Sequence, residues 1–399
     1  MYEFVEFCTG DYARYAGDFQ ALKEKIREAD CVETTRKGES IYSLHNAELK
    51  LPCGTLPMFL GRSMSLEYLN NELAWYLVGD RSLAGAMNAS KFWKNCSDDG
   101  QTVNSNYGYL LFHKRNARHR TQFEHAYECL VSNPMSKKAV MVLYDSEHAY
   151  ISKDNPCTMF VHFHVAQNQL NIRVIMRSND ILYGTTYDLP FFHIVHLVML
   201  NMLHKHEAFQ GVRLGTYIHQ ALNLHYYEQR MKSFEEKREK DLLATTAHQL
   251  NALIQHYTEK FTELATEQLY MSAAWRESDK SHCLKKHCGA VLVHNGSIIG
   301  AGYGDRAAEQ GCSKCARDAG EKFYSDGCYS VHAEMRAVFD AISKGWKGDW
   351  SEVTAYVTHG PCDACCKLLD FIGVRNIVYN VAYKTDYEKH WPRLSVTQI

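Results

Sequence analysis

Two stretches decide how the C-terminal third folds: VHAEMRAVFDAI (residues 331–342) and GPCDACCKLLDFI (residues 360–372). In each, apolar residues recur at helical spacing, which predicts one helix beginning near His332 and another near Pro361. Apolar runs at 289–293 and 353–357 read as strands. Strands alternating with helices predict a layered sheet with helices on its faces. Each helix start carries candidate metal ligands, His332 on one and Cys362 and Cys365 on the other. One imidazole and two thiolates make three ligands and leave a fourth tetrahedral position for water. Helix N-termini favour thiolates, and zinc brings the pKa of a bound water to about 7. Glu334 stands two residues from a ligand, where it is suited to shuttle a proton from such a water. Structural zinc sites are normally closed by four ligands, so three with an acid alongside favour catalysis over a structural knot. Cys366 follows the C-x-x-C pair and reads as a bystander.

Upstream, the chain has neither glycine nor proline between Gly215 and Gly289. Residues 226–260 are rich in Glu, Lys, Gln, Leu and Ala, with Leu242, Leu243, Leu250, Leu253 and Ile254 spaced along one face. That composition predicts a helical connector over 236–265 between a first domain, 1–235, and a second, 266–399. The charged run 232–241 reads as a solvated helical surface. In the first domain, 66–78 reads as an amphipathic helix, and 139–144, 157–165 and 170–176 as strands. Residues 190–206 read as a mostly buried helix opened by Pro190. The expected fold class is α/β (α+β) in two domains: a mixed sheet with helices, then the connector, then a three-layer α/β/α unit.

Composition excludes several classes. The chain has 399 residues, a net charge of −2 and 46% hydrophobic residues, ordinary for two globular cores. No apolar run reaches the roughly 20 residues of a membrane span. The N-terminus, with Glu3, Glu6 and Asp11, lacks the basic and apolar regions of a signal peptide. A cytoplasmic location is expected, with the 14 cysteines serving as free thiols, a catalytic thiol or metal ligands rather than disulfides. Near-neutral charge argues against a nucleic-acid-binding protein or a polynucleotide-editing deaminase.

The order His332-Ala333-Glu334 … Pro361-Cys362-x-x-Cys365 is the signature of zinc nucleobase deaminases. Over most of 266–390 the sequence resembles deoxycytidylate deaminases, which implies dCMP as substrate and dUMP as product. The family usually has Asn after the tyrosine of its Gly-Tyr motif; here Gly302-Tyr303 is followed by Gly304-Asp305. Cys312-Ser313-Lys314-Cys315 is a second C-x-x-C. With Cys283, His287, Cys288 or Cys328 it makes either a structural zinc site or a set of ordinary reduced thiols.

In the first domain, Glu72 in NELAWYLVGD, Tyr107 in SNYG, Asn133-Pro134 before Ser136-Lys137-Lys138, Pro156-Cys157 and RSNDILYGTTYD (177–188) occur in that order. This order resembles the thymidylate synthase superfamily over roughly 34–230. The resemblance implies that Cys157 is the thiolate that adds to carbon 6 of a pyrimidine, activating carbon 5, with Arg177 favouring its charge. It implies 5,10-methylenetetrahydrofolate as carbon donor, Glu72 handling protons and Tyr107 lining the site. Arg36, Arg177 and Ser178, with Lys137 and Lys138 from a partner subunit, match phosphate-binding positions. The family usually has two arginines where the lysines stand, and lysine loses the bidentate geometry. Trp93 and Asp180 match folate-side positions, and His219 a sugar-hydroxyl histidine. The family forms homodimers, so a dimer or higher oligomer is expected.

Asp188 bears on the base. Thymidylate synthases have Asn here, whose amide matches uracil N3–H and O4. Cytosine has an amine at position 4 and a bare N3, which a carboxyl suits. Asp188 therefore points to dCMP, as in the deoxycytidylate hydroxymethylases of bacteriophages, to which RSNDILYGTTYD is similar. Those relatives hydrate the exocyclic methylene to hydroxymethyl. The expected protein is a bifunctional nucleotide enzyme; the alternative is a deaminase that feeds dUMP to a true thymidylate synthase domain.

Overall fold

The computed structural model describes residues 12–29, 31–34, 38–59, 62, 64–148, 150, 152–236, 243–306, 330–383 and 386–399. Arg36, Cys312, Cys315 and Cys328 lie outside these described residues. The chain divides into two units: Met1–Asn116 with Thr121–Ala265, and Ala117–Arg120 with Thr266–Ile399.

The first unit is built on a seven-stranded mixed sheet. Its strands are β1 (Cys31–Thr34), β2 (Ser40–Leu51), β3 (Val140–Val142), β4 (Thr158–Ala166), β5 (Gln169–Met176), β6 (Asn179–Asp180) and β7 (Arg213–Tyr227). The order is β1-β2-β7-β5-β4-β3, with β6 beside β7. β5 and β7 run parallel, whereas β2 and β4 run antiparallel to their neighbours. The helices are α1 (Tyr12–Glu28), α2 (Leu66–Val78), α3 (Leu83–Ala89), α4 (Gln122–Ser132), α5 (Thr185–Leu203) and α6 (Glu228–Glu236). Ser65 caps α2 by accepting from Tyr68 N at 3.1 Å, and Gly79 ends it in the left-handed region at φ 69°. Strand β3 is shorter than its apolar run, because Leu143 N and Tyr144 N both bond Met159 O and end the ladder.

Helix α5 is apolar on nearly every face and buried along almost its whole length, so it forms the core against the sheet. Each large side chain buried there contributes about 1.5–3 kcal/mol. It begins at Thr185, not at Pro190 as the sequence predicts. Tyr187 N and Asp188 N both donate to Gly184 O at 2.9 Å and close the first turn ahead of the proline. Asp188 thereby stands in the first helical turn instead of a preceding loop.

The division between units falls inside helix α7 (Leu243–Ser278). The second unit has strands β8 (Gly289–His294), β9 (Ser297–Tyr303), β10 (Asp305–Arg306), β11 (Ser330–Val331), β12 (Thr354–His359), β13 (Asn376–Val381) and β14 (Ser395–Gln398). Five form one sheet, ordered β14-β13-β12-β8-β9, and β10 pairs β11. Asn295 and Gly296, both at positive φ, make the β8–β9 turn. Alternate strand residues bury on opposite faces. Ala290, Leu292, Ala355, Val357 and Ile377 pack with helices α8 (Ala333–Ser343) and α9 (Asp363–Ile372). Val291, Val293, Tyr356 and Val378 pack with Met271 and Ala274 of α7. That gives three α/β/α layers and explains why β8 is apolar throughout. Glycines let α8 approach β9: a Cβ on Gly302 would lie 2.5 Å from Ala333 O and from Ala337 N. No helix among the described residues is long and apolar enough to cross a membrane.

Candidate active sites

Cys157 immediately precedes β4, and Arg177 immediately follows β5, so the antiparallel ladder brings them together. Arg177 N donates to Cys157 O at 2.8 Å. The guanidinium donates to Pro156 O at 3.0 Å and Asn155 O at 2.8 Å, and one nitrogen lies 3.8 Å from Cys157 Sγ. Burial nonetheless pushes the Cys157 thiol up to about 11, against the downward pull of Arg177. Arg177 thus favours the thiolate, as expected of a nearby cation, while desolvation is the larger effect. Tyr107 is buried behind the strand, and its hydroxyl accepts from Thr158 N at 3.3 Å.

Two carboxyls share this region. Glu72, on the buried face of α2, accepts from the Tyr68 hydroxyl at 2.7 Å, yet burial lifts it to about 7. Asp188 is lifted to about 7 by burial as well, against a hydrogen bond from Asn179. The charge of Asp188 adds to the upward push on Glu72.

Asp188 is held by a chain of buried groups. Asn179 Nδ2 donates to Asp188 Oδ2 at 2.7 Å. Asn179 Oδ1 accepts from the Thr185 hydroxyl and, at 3.1 Å, from His219 Nε2. The Tyr217 hydroxyl lies 2.9 Å from His219 Nδ1. Burial pulls His219 down to about 3, so the ring is neutral. His219, expected at a sugar hydroxyl, is fully buried, and both ring nitrogens lie against Asn179 and Tyr217. Sequence reading missed Asn179, Thr185, Tyr217 and Tyr68. The available signals were the two-residue spacing of Tyr217 and His219 on one strand face, and the position of Asn179 inside the Arg177–Asp180 run.

The other predicted positions are more scattered. Ser178 is half-buried between Arg177 and β6, while Lys137 and Lys138 are exposed on the segment between α4 and β3. Asp180 Oδ1 accepts from Leu182 N at 2.6 Å and Tyr183 N at 3.2 Å, and burial raises its carboxyl. Trp93 lies in the 3₁₀ turn Lys91–Asn95 with its ring 4.9 Å from Trp75, and its indole N–H is buried without a partner.

In the second unit, His332 and Cys362 are the N-cap residues of α8 and α9, and neither side chain caps its helix. The two side chains approach one another instead. His332 Nδ1 lies 3.4 Å from Cys362 Sγ and 3.3 Å from Cys365 Sγ. Tetrahedral zinc with Zn–S of about 2.3 Å and Zn–N of about 2.0 Å needs N···S separations of about 3.5 Å, so these donors fit zinc. They are the one such group of three among the described residues. Hydrogen bonding from Cys365, and then from His332, brings the Cys362 thiol down to about 4. Glu334 is buried in the first turn of α8, and burial raises its carboxyl. Cys366 is fully buried in the core. Asp305, one residue beyond the Gly304 that stands in place of the family's Asn, turns inward, accepts from His282 N at 3.0 Å and lies 2.9 Å from its Nδ1.

The comparisons with known proteins follow the same division. The thymidylate synthase family matches residues 17–273, and the cytidine and deoxycytidylate deaminase zinc-binding region matches 264–381. A deoxyuridylate hydroxymethyltransferase of Bacillus phage SP01 is 26% identical over 218 residues, covering 52% of this chain and 55% of that protein. ComE operon protein 2 of Bacillus subtilis (strain 168) is 32% identical over 123 residues, covering 31% of this chain and 62% of that protein. The chain thus spans less than two thirds of the length of these two relatives. It belongs to the thymidylate synthase family and carries, after that domain, a cytidine/deoxycytidylate deaminase zinc-binding domain.

Proposed function

We propose that the first unit adds a one-carbon unit to carbon 5 of dCMP, and that the second hydrolytically deaminates dCMP or its 5-hydroxymethyl derivative. The observation that carries the base choice is Asp188, an acid lifted to about 7 beside the candidate nucleophile. Near neutrality it holds a proton part of the time. It then offers cytosine an acceptor for the 4-amine and a proton for N3. A proton on N3 makes carbon 6 more electrophilic.

Cys157 gives up its proton as its sulfur bonds carbon 6, and the ring electrons move toward the protonated N3. Carbon 5 becomes nucleophilic. Glu72 is poised near neutrality to receive and return protons, and Tyr68 orients it. After carbon 5 has bonded the new carbon and lost its proton, the bond from that carbon to the donor nitrogen breaks, water adds to the exocyclic methylene so left, and expulsion of the Cys157 sulfur restores the ring. Trp93 and Asp180 stand where the family resemblance puts the folate, and the buried Trp93 N–H has no partner among the described residues. 5,10-Methylenetetrahydrofolate would supply the carbon at the oxidation level of formaldehyde. Adding water to that carbon gives hydroxymethyl with no reductant, whereas a methyl product needs a hydride. Arg177 and Ser178, with Arg36 and a partner's Lys137 and Lys138, would hold the phosphate in a homodimer. His219 acts through Asn179.

His332, Cys362 and Cys365 would hold the zinc, which supplies an acidified water when bound. Glu334, buried and raised, would carry the proton from that water toward the ring nitrogen and the departing ammonia. Two activities in one chain then act on related nucleotides, in the cytoplasm.

A second reading, dUMP as the first unit's substrate, draws support from the name of the phage SP01 relative. In that case the deaminase would supply the substrate. Tritium release from carbon 5 of dCMP and of dUMP, with methylenetetrahydrofolate present, separates the two. Release from dCMP at the earliest times, with mass spectrometry giving a hydroxymethyl product, supports the first. Release from dUMP alone rejects it. A Cys157→Ser chain should lose this release and keep deamination.

A further inference from the structure

We infer that Asn179 is a specificity-determining residue: it dictates which oxygen of Asp188 holds the proton, and so which pyrimidine edge the site accepts. The inference rests on the reading that Asp188 faces the base.

Asn179 is 3% exposed, and its amide has no freedom to turn. The Thr185 hydroxyl and His219 Nε2 both occupy Oδ1. Oδ1 has no hydrogen to give, so His219 carries its hydrogen on Nε2, and Nδ1 accepts from the Tyr217 hydroxyl. This leaves Nδ2 aimed at Asp188 Oδ2, 2.7 Å away. The backbone presses from the other side: a Cβ on Gly184 would come within 2.8 Å of Asn179 Nδ2. Thr185, His219 and Tyr217 therefore fix the amide, and the amide fixes Oδ2 as an acceptor.

A carboxylic acid accepts well through its carbonyl oxygen and poorly through its hydroxyl oxygen. With Oδ2 committed to Asn179, the proton of Asp188 belongs on Oδ1. Oδ2 keeps a second lone pair for an incoming N–H. In this reading Oδ2 faces the group on carbon 4 and Oδ1 faces N3, so that the pair offers an acceptor to the 4-amine and a donor to N3 of cytosine. Uracil presents the reverse, an acceptor at O4 and a donor at N3. To match it, the proton would have to move to Oδ2, which weakens the bond from Asn179 and leaves a buried amide N–H poorly satisfied. The same acid without Asn179 would titrate between both patterns.

The test compares full-length chains by initial rates of tritium release from carbon 5 of dCMP and dUMP, before deaminated product accumulates. In Asn179→Leu the dCMP:dUMP ratio of kcat/KM should fall about tenfold or more, about 1.4 kcal/mol per tenfold. In an Asp188→Asn background the same substitution should leave the ratio unchanged, because no carboxyl proton remains to direct. Tyr217→Phe deletes one hydroxyl and frees the His219 tautomer, so it should lower the ratio in the same direction by less. That variant decides the matter if Asn179→Leu does not fold. A wild-type chain that prefers dCMP, with the ratio unmoved in both variants, overturns this inference alone. A wild-type chain that acts only on dUMP overturns the cytosine reading and this inference with it.

Discussion

Tyr68 and Glu72 stand one turn apart on α2, and the tyrosine hydroxyl donates to Glu72 Oε1 at 2.7 Å. This bond favours the ionised carboxylate, while burial opposes it and prevails, leaving Glu72 at about 7. A base must be ionised to work, so carbon-5 exchange should fall as pH drops through about 7. Tyr68→Phe removes the donor and should move that acidic limb upward by about one pH unit. A pH–rate profile of tritium release measures it; an unmoved limb would mean that Glu72 is not the titrating base.

Asp188 should make the protein less stable as pH rises. Free aspartate titrates near about 3.9, whereas here the carboxyl titrates at about 7. Below about pH 4 the folded and unfolded chains both hold the proton, and the group is neutral to stability. From there to about 7 the unfolded chain ionises first, so stability drains away with rising pH and stays low above it. The full effect is at most a few kcal/mol. Asp188→Asn should therefore raise the unfolding temperature at pH 8 and barely change it at pH 4. Thermal unfolding at the two pH values checks this, and equal changes at both would count against a buried, raised acid.

Replacing one sulfur of the second site should separate the two chemistries. Cys365→Ser is expected to lower bound zinc by about one ion per chain and deamination by at least about 100-fold. Carbon-5 tritium release should remain. Elemental analysis beside the two assays reads the outcome, and unchanged zinc would exclude Cys365 as a ligand.

Gly302→Ala tests whether the close approach of α8 to β9 positions His332. The new methyl would meet Ala333 O and Ala337 N at 2.5 Å, both of them backbone atoms. Overpacking of this kind costs about 1–3 kcal/mol. Deamination should fall together with the unfolding temperature, while carbon-5 chemistry persists. Full deaminase activity in this variant would show that α8 can shift without disturbing the ligands.

Much of this was legible in the residue pattern, and the exceptions have physical causes. The Leu66–Val78 helix was readable because its spacing and its cap at Ser65 agree. The candidate metal group of His332, Cys362 and Cys365 was readable because His332 and Cys362 sit at helix starts, where local sequence fixes position. The start of α5 was misread because Pro190 normally opens a helix; here a turn closed onto Gly184 O precedes it, and burial offsets the lost N–H. The Arg177–Cys157 pairing was legible, but the protonation of the thiol was not, since it depends on how much water the folded chain removes. The Asn179 relay was invisible for the same kind of reason: Tyr217 and His219 come from β7, Thr185 from α5 and Asn179 from β6, and tertiary packing alone brings them together.

Helix α7 is a single rod of 36 residues whose earlier part lends Ile254, Tyr257 and Phe261 to one core and whose later part lends Met271 and Ala274 to another. Anyone splitting the gene to obtain either enzyme alone has no neutral seam to cut. A break before Ile254 strips the upstream fragment of core side chains, and one after Ala274 does the same to the downstream fragment. Even a cut at the midpoint leaves each piece with a frayed, half-length rod, so dissection into independent catalysts calls for shared, overlapping ends.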